Sequence, residues 1–511
     1  MSLPLFVAAV LATVLATAFL YIQYAYSFWK RLGVPFQKPS FPFGNFAASF
    51  LSKKSLGEDL RVIYESTTEP VIGMYTIFKP TLLIRDPKLI QHILVKDFQH
   101  FINRGFHTNT DVDPLGDNIL MQDGDKWRNA RTKMSPTFTS GKLKSMFETV
   151  VKCGKTLENY LDRLAVSQKE IEVRDVFARF ATNAIASIAF GIEIDCLENP
   201  DHDFRKYGKK FFDPTLKNIL RFNIGILSPT ISKLFGLRFA DKDIGEFMTE
   251  TVRKNLKYRE ESGVVRKDLF QLLMQLRNTG NVQEDGDWST KTNRDKQMSV
   301  EEMTAHAYLI FIGGFESSST TMSFCAYELA RNPEVQQKAY EDIVDTLAKH
   351  DGQLTYESLN DMKYLEQCIE ETLRVHPPFE AGGRQCTKDY TLPDTNIVIK
   401  KGMTVMYSVI GLHYDPKYYT DPTKFIPERH DKAEIAGKNF VEMPKLAFGD
   451  GPRNCLGLRL GKMQVKIAIV MLLQTLKFEL ADQHVGKELK MNPRSSVRAA
   501  VSGINLKLKK R

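Results

Sequence analysis

The sequence predicts a mainly α protein with small β-sheets, an α+β fold preceded by one N-terminal transmembrane helix. Three observations lead to this fold class. The run from Leu3 to Phe28 is almost wholly apolar, helical periods extend over Ser299 to Arg331 and Leu458 to Leu476, and short β-branched and aromatic runs such as Val71 to Ile84 lie between turn signals. No Gly/Ser-rich linker or internal repeat interrupts the chain beyond its N-terminal region. We therefore expect one large domain.

The N-terminal run predicts a single uncleaved membrane anchor. It is long enough to cross about 30 Å of hydrocarbon as a helix. The first charges, Lys30 and Arg31, follow it, which places the body of the protein in the cytosol, and Trp29 suits the membrane interface. A cleaved signal peptide is the alternative, but its positive N-terminal region is missing. The expected organisation is an anchor over residues 1–29, a proline-rich linker over 30–45 and the main domain over 46–511.

Charge and cysteine content exclude several classes of protein. The net charge is +9 and the basic residues are scattered among acids, which suits an anionic membrane surface or an acidic protein partner better than nucleic acid. No nucleic-acid-binding motif is present. The six cysteines are dispersed and contain no C-x-x-C pair, so the pattern is neither a disulfide framework nor a zinc site.

Short strands are predicted near both ends of the main domain. Val71 to Ile84 is expected to form a hairpin that ends at Asp86-Pro87. Ile504 to Lys510 alternates apolar and basic residues and is expected to form an edge strand. Three further strand-like segments are Tyr390 to Leu392, Ile397 to Ile399 and Thr404 to Tyr407.

A glycine-rich run near the C-terminus carries the strongest functional signal. Phe448, Gly449, Gly451, Arg453, Cys455 and Gly457 give the pattern F-G-x-G-x-R-x-C-x-G. The glycines indicate a tight turn close to another group. Cys455 precedes the helix that begins near Leu458, where backbone N–H groups and the helix dipole favour a thiolate. A structural cysteine in a glycine-rich turn is the alternative, but a thiolate beside a cation suited to carboxylates indicates haem ligation.

This run resembles the haem-binding loop of the cytochromes P-450, the haem-thiolate monooxygenases. The resemblance covers nearly the whole chain, and it is greatest to the microsomal class and to insect members that metabolise foreign compounds. It implies the cytochrome P-450 fold, in which haem lies between a long central helix and the helix that follows the cysteine loop. It also implies that Cys455 is the axial ligand of the haem iron.

The predicted central helix carries a second motif. Gly313 and Gly314 each cost about 1 kcal/mol against alanine in mid-helix, so a close approach of another group to the backbone is indicated. The Ser317 hydroxyl is expected to bond back to the carbonyl of Gly313. A helix–helix contact through small residues is the alternative. The run resembles the (A/G)-G-x-(D/E)-T oxygen-activation motif, in which Glu316 and Ser317 would relay protons, with serine in place of the usual threonine.

Further arginines are expected to bind the haem propionates. Trp127 and Arg131 are four residues apart and share one helix face, a pattern that surface packing also produces. They resemble the family's W-x-x-x-R element, whose pair binds a propionate. The resemblance extends the same role to Arg384 and Arg453, and also to Arg104.

A structural network is predicted around a weaker motif. Glu371 and Arg374 form an E-x-x-R pair on a helix expected over Asn360 to Arg374, a spacing that is usually a surface pair. Arg429 lies in a run that resembles the family's P-E-R-F, so the resemblance implies a buried Glu–Arg–Arg network. His430 stands where the family usually has phenylalanine.

The resemblance implies a haem b enzyme that inserts one atom of O2 into lipophilic small molecules, most simply foreign compounds such as insecticides and plant toxins. Electrons would come from NADPH through NADPH–cytochrome P-450 reductase, with cytochrome b5 as a second donor, at the endoplasmic reticulum membrane. The apolar region from Asp203 to Tyr258 would form a lid over the substrate cavity that dips into the membrane. A hydroxylase of an endogenous hormone or fatty acid, an isomerase that needs neither oxygen nor reductase, a haem-bearing sensor or carrier, and a non-catalytic membrane scaffold remain as alternatives.

Overall fold

The computed structural model describes residues 3–167, 169–227, 229–284, 286–290, 297–431 and 446–511, with the backbone only for 223, 224, 226, 227, 229 and 231. The chain divides into two compact units. The first comprises Met1–Gly105, Glu380–Tyr418 and Met443–Arg453, and the second comprises Phe106–Phe379, Tyr419–Glu442 and Asn454–Arg511.

Helices dominate the described chain, as the sequence predicts. In chain order they are α1 Leu3–Tyr26, α2 Phe28–Arg31, α3 Ala47–Phe50, α4 Leu56–Glu65, α5 Pro87–Gln91, α6 Gly124–Met134, α7 Ser140–Val166, α8 Val173–Ile185, α9 Asp203–Phe212, α10 Leu216–Leu227, α11 Pro229–Leu234, α12 Lys242–Ser262, α13 Leu269–Thr279, α14 Val300–Arg331, α15 Pro333–Lys349, α16 Tyr356–Asp361, α17 Lys363–Val375, α18 Val409–His413 and α19 Leu458–Thr475. The strands are β1 Val71–Thr76, β2 Lys79–Ile84, β3 Ile171–Glu172, β4 Ala381–Gln385, β5 Tyr390–Thr391, β6 Val398–Ile399, β7 Thr404–Ser408, β8 Leu476–Leu480 and β9 Asn505–Lys510.

The first unit is built on a four-stranded sheet in the order β1-β2-β7-β4. The predicted hairpin is confirmed, because β1 and β2 pair antiparallel from Val71–Ile84 to Thr76–Lys79. β2 pairs parallel with β7, and β4 pairs antiparallel with β7. Strands β5 and β6 form a separate two-stranded sheet, so the three short segments predicted after Arg384 are all strands.

Helix α1 is long and apolar enough to cross a membrane by length and composition, and none of its residues is buried. The expectation that Trp29 lies at the membrane interface is wrong. Its side chain is fully buried and its Nε1 donates a hydrogen bond to the carbonyl oxygen of Met74 over 2.9 Å. The indole covers Gly73 so closely that a Cβ there would lie 2.5 Å from Trp29 Cγ. The residues after α1 are therefore packed against β1.

The second unit is arranged around α14. This helix begins at a capping box in which Ser299 and Glu302 satisfy each other's backbone N–H groups, and it ends at Asn332, as predicted. Most of its 32 residues are buried, and it packs on α8, α12 and α19. Helix α17 begins at Lys363 rather than at Asn360, because Asn360 belongs to α16 and the non-helical backbone of Met362, with ψ +88°, separates the two helices.

The expectation of an edge strand at the C-terminus is wrong. β9 is the central strand of a three-stranded sheet in the order β3-β9-β8. Leu506 and Leu508 are buried, whereas Lys507 and Lys509 pair with acidic side chains towards solvent. Alternation reports which face of a strand is buried, and it carries no information about how many neighbours the strand's edges have.

Candidate functional site

The cysteine loop turns as tightly as its glycines predict. Gly449 and Gly451 have φ values of +68° and +70°, in the left-handed region that favours glycine. A Cβ on Gly451 would lie 1.8 Å from the carbonyl oxygen of Leu94, so only glycine allows this backbone approach. Phe448 ends the short 3₁₀ helix Leu446–Phe448. The close neighbour of Gly451 is therefore another segment of the first unit.

Three arginines predicted as carboxylate binders lie in the first unit. Arg453 and Arg384 are buried, with 1% and 3% of their surfaces exposed. Arg104 Nη2 donates a hydrogen bond to the carbonyl oxygen of Arg453 over 3.0 Å, and the neighbouring Asn103 pairs with Gln385 beside Arg384. Arg384 Nη1 donates to the Gly383 carbonyl oxygen, but among the described residues its buried Nε has no hydrogen-bond partner. A buried guanidinium of this kind suits a carboxylate from a bound group.

Cys455 lies in the second unit with an exposed side chain, two residues before Gly457, the N-cap of α19. Arg131 holds the adjacent residue, because its Nη1 donates to the Asn454 carbonyl oxygen over 2.7 Å and its Nη2 to Asn454 Oδ1 over 2.6 Å. Burial lowers the pKa of Arg131, and the negative charge of a Cys455 thiolate opposes this shift without reversing it. Arg131 therefore positions the cysteine loop by two direct hydrogen bonds.

Trp127 is buried one turn before Arg131 on α6, as their spacing predicts. The structure thus brings one end of α6 to the segment that carries Cys455. Asn454, which receives both hydrogen bonds from Arg131, occupies an unspecified position of the motif. No feature of the sequence marks Asn454 as a partner of Arg131.

The two glycines of α14 have different surroundings. Gly313 is exposed within a mostly buried helix. Apart from the helix's own backbone, no atom lies within 4 Å of the position that its Cβ would occupy. Gly314 lies against α8, where a Cβ would be 2.5 Å from Ile185 Cδ1. Gly313 thus leaves open space beside the helix, whereas Gly314 permits the close packing of two helices.

Ser317 adds a hydroxyl beside Gly313. Its Oγ donates a hydrogen bond to the Gly313 carbonyl oxygen over 2.5 Å, as predicted. The hydroxyl proton is thereby directed at the helix backbone, and the oxygen keeps its lone pairs for a hydrogen bond from water or another donor. A half-buried alcohol consequently stands next to the open space at Gly313.

Glu316 is buried on α14 and forms a salt bridge with Arg174 of α8. Arg174 is about one quarter exposed, so the pair connects a buried carboxylate with a partly solvated cation. Sequence reasoning missed Arg174, since nothing in the run around it marks a partner for a carboxylate in a distant helix. The structure shows Glu316 held by a cation as well as adjacent to Ser317.

The predicted Glu–Arg–Arg network is present in the second unit. Glu371 is fully buried and accepts hydrogen bonds from Arg374 Nε and Nη2, both over 2.8 Å, and from Arg429 Nε over 3.0 Å. Burial would raise the pKa of Glu371, but hydrogen bonds from Arg374 and His430 outweigh it and lower the pKa to about 2. The carboxylate is therefore charged throughout the physiological range.

Aromatic side chains pack between α9 and α14. Phe311 lies edge-on to Phe204 with ring centroids 5.6 Å apart, and Phe315 lies edge-on to Phe212 at 5.7 Å. Gly208 lets the helices approach, because a Cβ there would be 3.0 Å from the ring of Phe315. The helix that carries Glu316 and Ser317 thus has an apolar, aromatic flank.

The described residues fit haem b. Cys455 has an exposed thiol close to a helix N-terminus, which favours the thiolate form needed by iron. Arg384 offers a buried guanidinium nitrogen without a protein partner among the described residues, which suits a propionate. Among those residues no cluster of His, Cys, Asp or Glu has the arrangement of another metal site.

Comparison with known proteins identifies the class. The family model described as Cytochrome P450 matches residues 37–504, which is most of the chain. The protein therefore belongs to the cytochrome P450 family of haem monooxygenases.

Among the curated relatives that resemble this chain are several insect proteins. "Probable cytochrome P450 6d5" of Drosophila melanogaster is 38% identical over 90% of this chain and 91% of the relative. "Cytochrome P450 6d3" of Musca domestica is 36% identical over 98% of both chains, and "Cytochrome P450 6k1" of Blattella germanica is 37% identical over 97% and 95%.

Proposed function

We propose that this protein is a monooxygenase of foreign lipophilic compounds that receives electrons from NADPH through NADPH–cytochrome P-450 reductase. The observation that carries the proposal is the open groove at Gly313, beside which Ser317 presents a hydroxyl on the same helix as Glu316. A rearrangement enzyme would not need an acid and an alcohol next to this groove. The proposal includes an endoplasmic reticulum anchor over residues 1–29, a linker over 30–45 and a catalytic domain over 46–511.

Haem b, when bound, supplies the activation of dioxygen, and Cys455 would hold its iron as a thiolate that favours O–O cleavage. Arg104, Trp127, Arg131, Arg384 and Arg453 would bind propionate oxygens. Gly449 and Gly457 would keep the loop free of side chains that obstruct the flat cofactor, and Phe448 would pack against it.

Ser317 and Glu316 would deliver protons through water. The Ser317 hydroxyl holds its proton against the Gly313 carbonyl oxygen, so its oxygen can accept a hydrogen bond from a water in the groove. Glu316 is the carboxylate nearest in sequence, and its salt bridge with Arg174 orients it. We infer that water would connect the Glu316 carboxylate with Ser317 Oγ. Serine lacks the methyl group that restricts the rotamers of threonine, so this relay should be looser than the family's usual one.

The substrate class follows from apolar surface. The aromatic flank formed by Phe204, Phe212, Phe311 and Phe315 favours lipophilic compounds over charged ones. Helix α10 and the end of α11 also expose large apolar side chains, which suits a lid that meets lipid. These are Leu216, Leu220, Phe222, Leu234 and Phe235. A hydroxylase of an endogenous hormone or fatty acid remains the second candidate for the same reason.

The reductase would dock on basic residues near the cysteine loop of the second unit. Arg128 and Arg459 are exposed, on α6 and at the start of α19, and Lys133 is partly exposed. Lys445, also expected to contribute, lies outside the described residues. Exchanging Arg128 and Lys133 for glutamate should slow transfer of the first electron, most strongly at low ionic strength. Cytochrome b5 would use the same surface.

The decisive experiment uses the full-length protein in lipid vesicles with the reductase, NADPH, 18O-labelled dioxygen and a panel of lipophilic compounds. Labelled product that requires NADPH supports the proposal. Conversion without NADPH or oxygen would assign the protein to the isomerases instead, and an intact haem spectrum without any turnover would favour a sensor or carrier.

Ser317 provides a matched test of the relay. The Ser317→Thr variant should raise the ratio of product to NADPH consumed and lower peroxide release, because threonine keeps the hydroxyl and restricts its rotamer. Ser317→Ala should do the opposite. Equal product yields per NADPH in all three proteins would rule out a role of this hydroxyl in proton delivery.

A further inference from the structure

His430 makes a contact that the usual residue at its position would not make. The P-E-R-F pattern places phenylalanine here, and phenylalanine has no hydrogen-bonding atom. In this protein His430 Nε2 lies 2.9 Å from Oε2 of the fully buried Glu371. His430 is the last residue of the 3₁₀ helix Pro427–His430.

The hydrogen bonds to Glu371 are divided between its two oxygens. Oε1 accepts from Arg374 Nη2, from Arg429 Nε and from the backbone N–H of Ile426. Oε2 accepts from Arg374 Nε and from His430 Nε2. Without the imidazole, Oε2 would keep a single donor among the described residues.

Two guanidinium groups, Arg374 and Arg429, face the same carboxylate as His430. Glu428, the other nearby acid, is engaged by Lys338 and by the hydroxyl of Tyr364. The imidazole therefore has Glu371 as its carboxylate partner, and an N–H at Nε2 can donate to Oε2.

The contact adds to the bonds that hold this short helix. Arg429 binds the carbonyl oxygens of Thr420 and Asp421 in addition to Glu371, so it spans this segment from one side. His430 attaches the C-terminal end of the same 3₁₀ helix to α17. Its side chain is only about one fifth exposed, which limits competition from water.

We propose that His430 is a positioning residue, the fourth member of the Glu371–Arg374–Arg429 network, which by its hydrogen bond to Glu371 supports α17, the helix that packs on α19 just after Cys455. The inference rests on the proposed haem-thiolate function for its readout. The inference holds that a hydrogen bond from His430 does the positioning that the packing of a phenylalanine ring would otherwise do. Substitutions can separate these two causes, because a side chain can keep the ring without the donor or the donor without the ring.

The test compares three variants of the haem-loaded, full-length protein. His430→Gln keeps an N–H donor, His430→Phe restores the family's usual residue, and His430→Leu removes both ring and donor. Each protein is reduced under carbon monoxide and warmed mildly. The Soret band then reports separately the haem that keeps its thiolate and the haem that has lost it.

The expected order distinguishes a hydrogen bond from packing. His430→Leu and His430→Phe should lose the thiolate-type band about tenfold faster than wild type, a change of the size expected for one hydrogen bond to a charged group. His430→Gln should remain within about threefold. If His430→Phe matches wild type, or if His430→Gln decays as fast as His430→Leu, the inference is overturned.

Two further outcomes keep the test decisive. If His430→Phe does not fold, the comparison of His430→Gln with His430→Leu decides by the same criterion. A wild-type protein that never shows the thiolate-type band would refute the proposed function itself. A normal wild-type band with unchanged variants would refute only the role of His430.

Discussion

Replacing Gly313 and Gly314 separately with alanine tests how α14 uses its two adjacent glycines. Alanine favours the helix by about 1 kcal/mol over glycine at either position. At Gly313 no atom lies within 4 Å of the new methyl group, so Gly313→Ala should stabilise the fold by about 1 kcal/mol. At Gly314 the methyl group would lie 2.5 Å from Ile185 Cδ1 and 2.8 Å from Ile185 Cγ1, which forces a displacement.

Overpacking of this kind costs about 1–3 kcal/mol, and the outcome should lie at the lower end because the closest atom is the flexible end of isoleucine. After the helix gain, Gly314→Ala should be destabilised by about 0–2 kcal/mol. The helix term is the same in both variants, so their difference of about 1–3 kcal/mol reports the Ile185 contact.

The assay is urea unfolding of the haem-loaded protein, followed by circular dichroism and by the Soret band. Ile185→Ala provides the matched background, because it removes both atoms that the Gly314→Ala methyl group would meet. In that background the two glycine variants should become equally stable. Equal stability in the wild-type background would refute the assignment of Gly314 to helix packing, and a difference that persists after Ile185→Ala would refute its cause.

Three further predictions follow from the packing and the ion pairs. The pKa of Glu371 is about 2 in the folded chain against an ordinary 4.5, so its ionised form contributes roughly 3 kcal/mol to stability at neutral pH, and this is lost as the pH falls from about 4.5 towards 2. Urea unfolding at a series of pH values should show this loss in wild type and not in Glu371→Gln. The same dependence of stability on pH in both proteins would contradict the prediction. Trp29→Ala should lower the free energy of unfolding of the full-length protein by about 3–5 kcal/mol, measured by thermal unfolding. Trp29→Phe, which loses the 2.9 Å hydrogen bond to Met74 but keeps a ring, should lower it less. An unchanged stability of Trp29→Ala would show that the indole is not packed on β1. Arg131→Lys should lower the fraction of carbon monoxide-bound haem that keeps its thiolate ligand, because lysine cannot make both hydrogen bonds to Asn454. Arg128→Lys, at an exposed position on the same helix, is the control, and equal fractions in the two variants would contradict the role of Arg131.

Much of the fold was predictable because it depends on local pattern. The β1–β2 hairpin, the capping box of α14 and the helix after Cys455 arise from residues close together in sequence, where periodicity and caps determine the backbone. The glycine positions of the cysteine loop were equally readable, since a left-handed φ depends on the residue itself. The back-bond from Ser317 to Gly313 spans one helical turn and was predicted for the same reason.

The family and the order of the motifs could be read from the chain alone, and the same pattern predicted Cys455 as the haem ligand. The fold selected the partners, Arg174 for Glu316 and Asn454 for Arg131, and it gave β9 the central place in its sheet. It also decided that Gly314 serves helix packing while Gly313 opens a groove, and that His430 donates to Glu371. These outcomes depend on which distant segments meet. A side chain carries its hydrogen-bonding capacity in the sequence, but the fold alone selects the group that satisfies it.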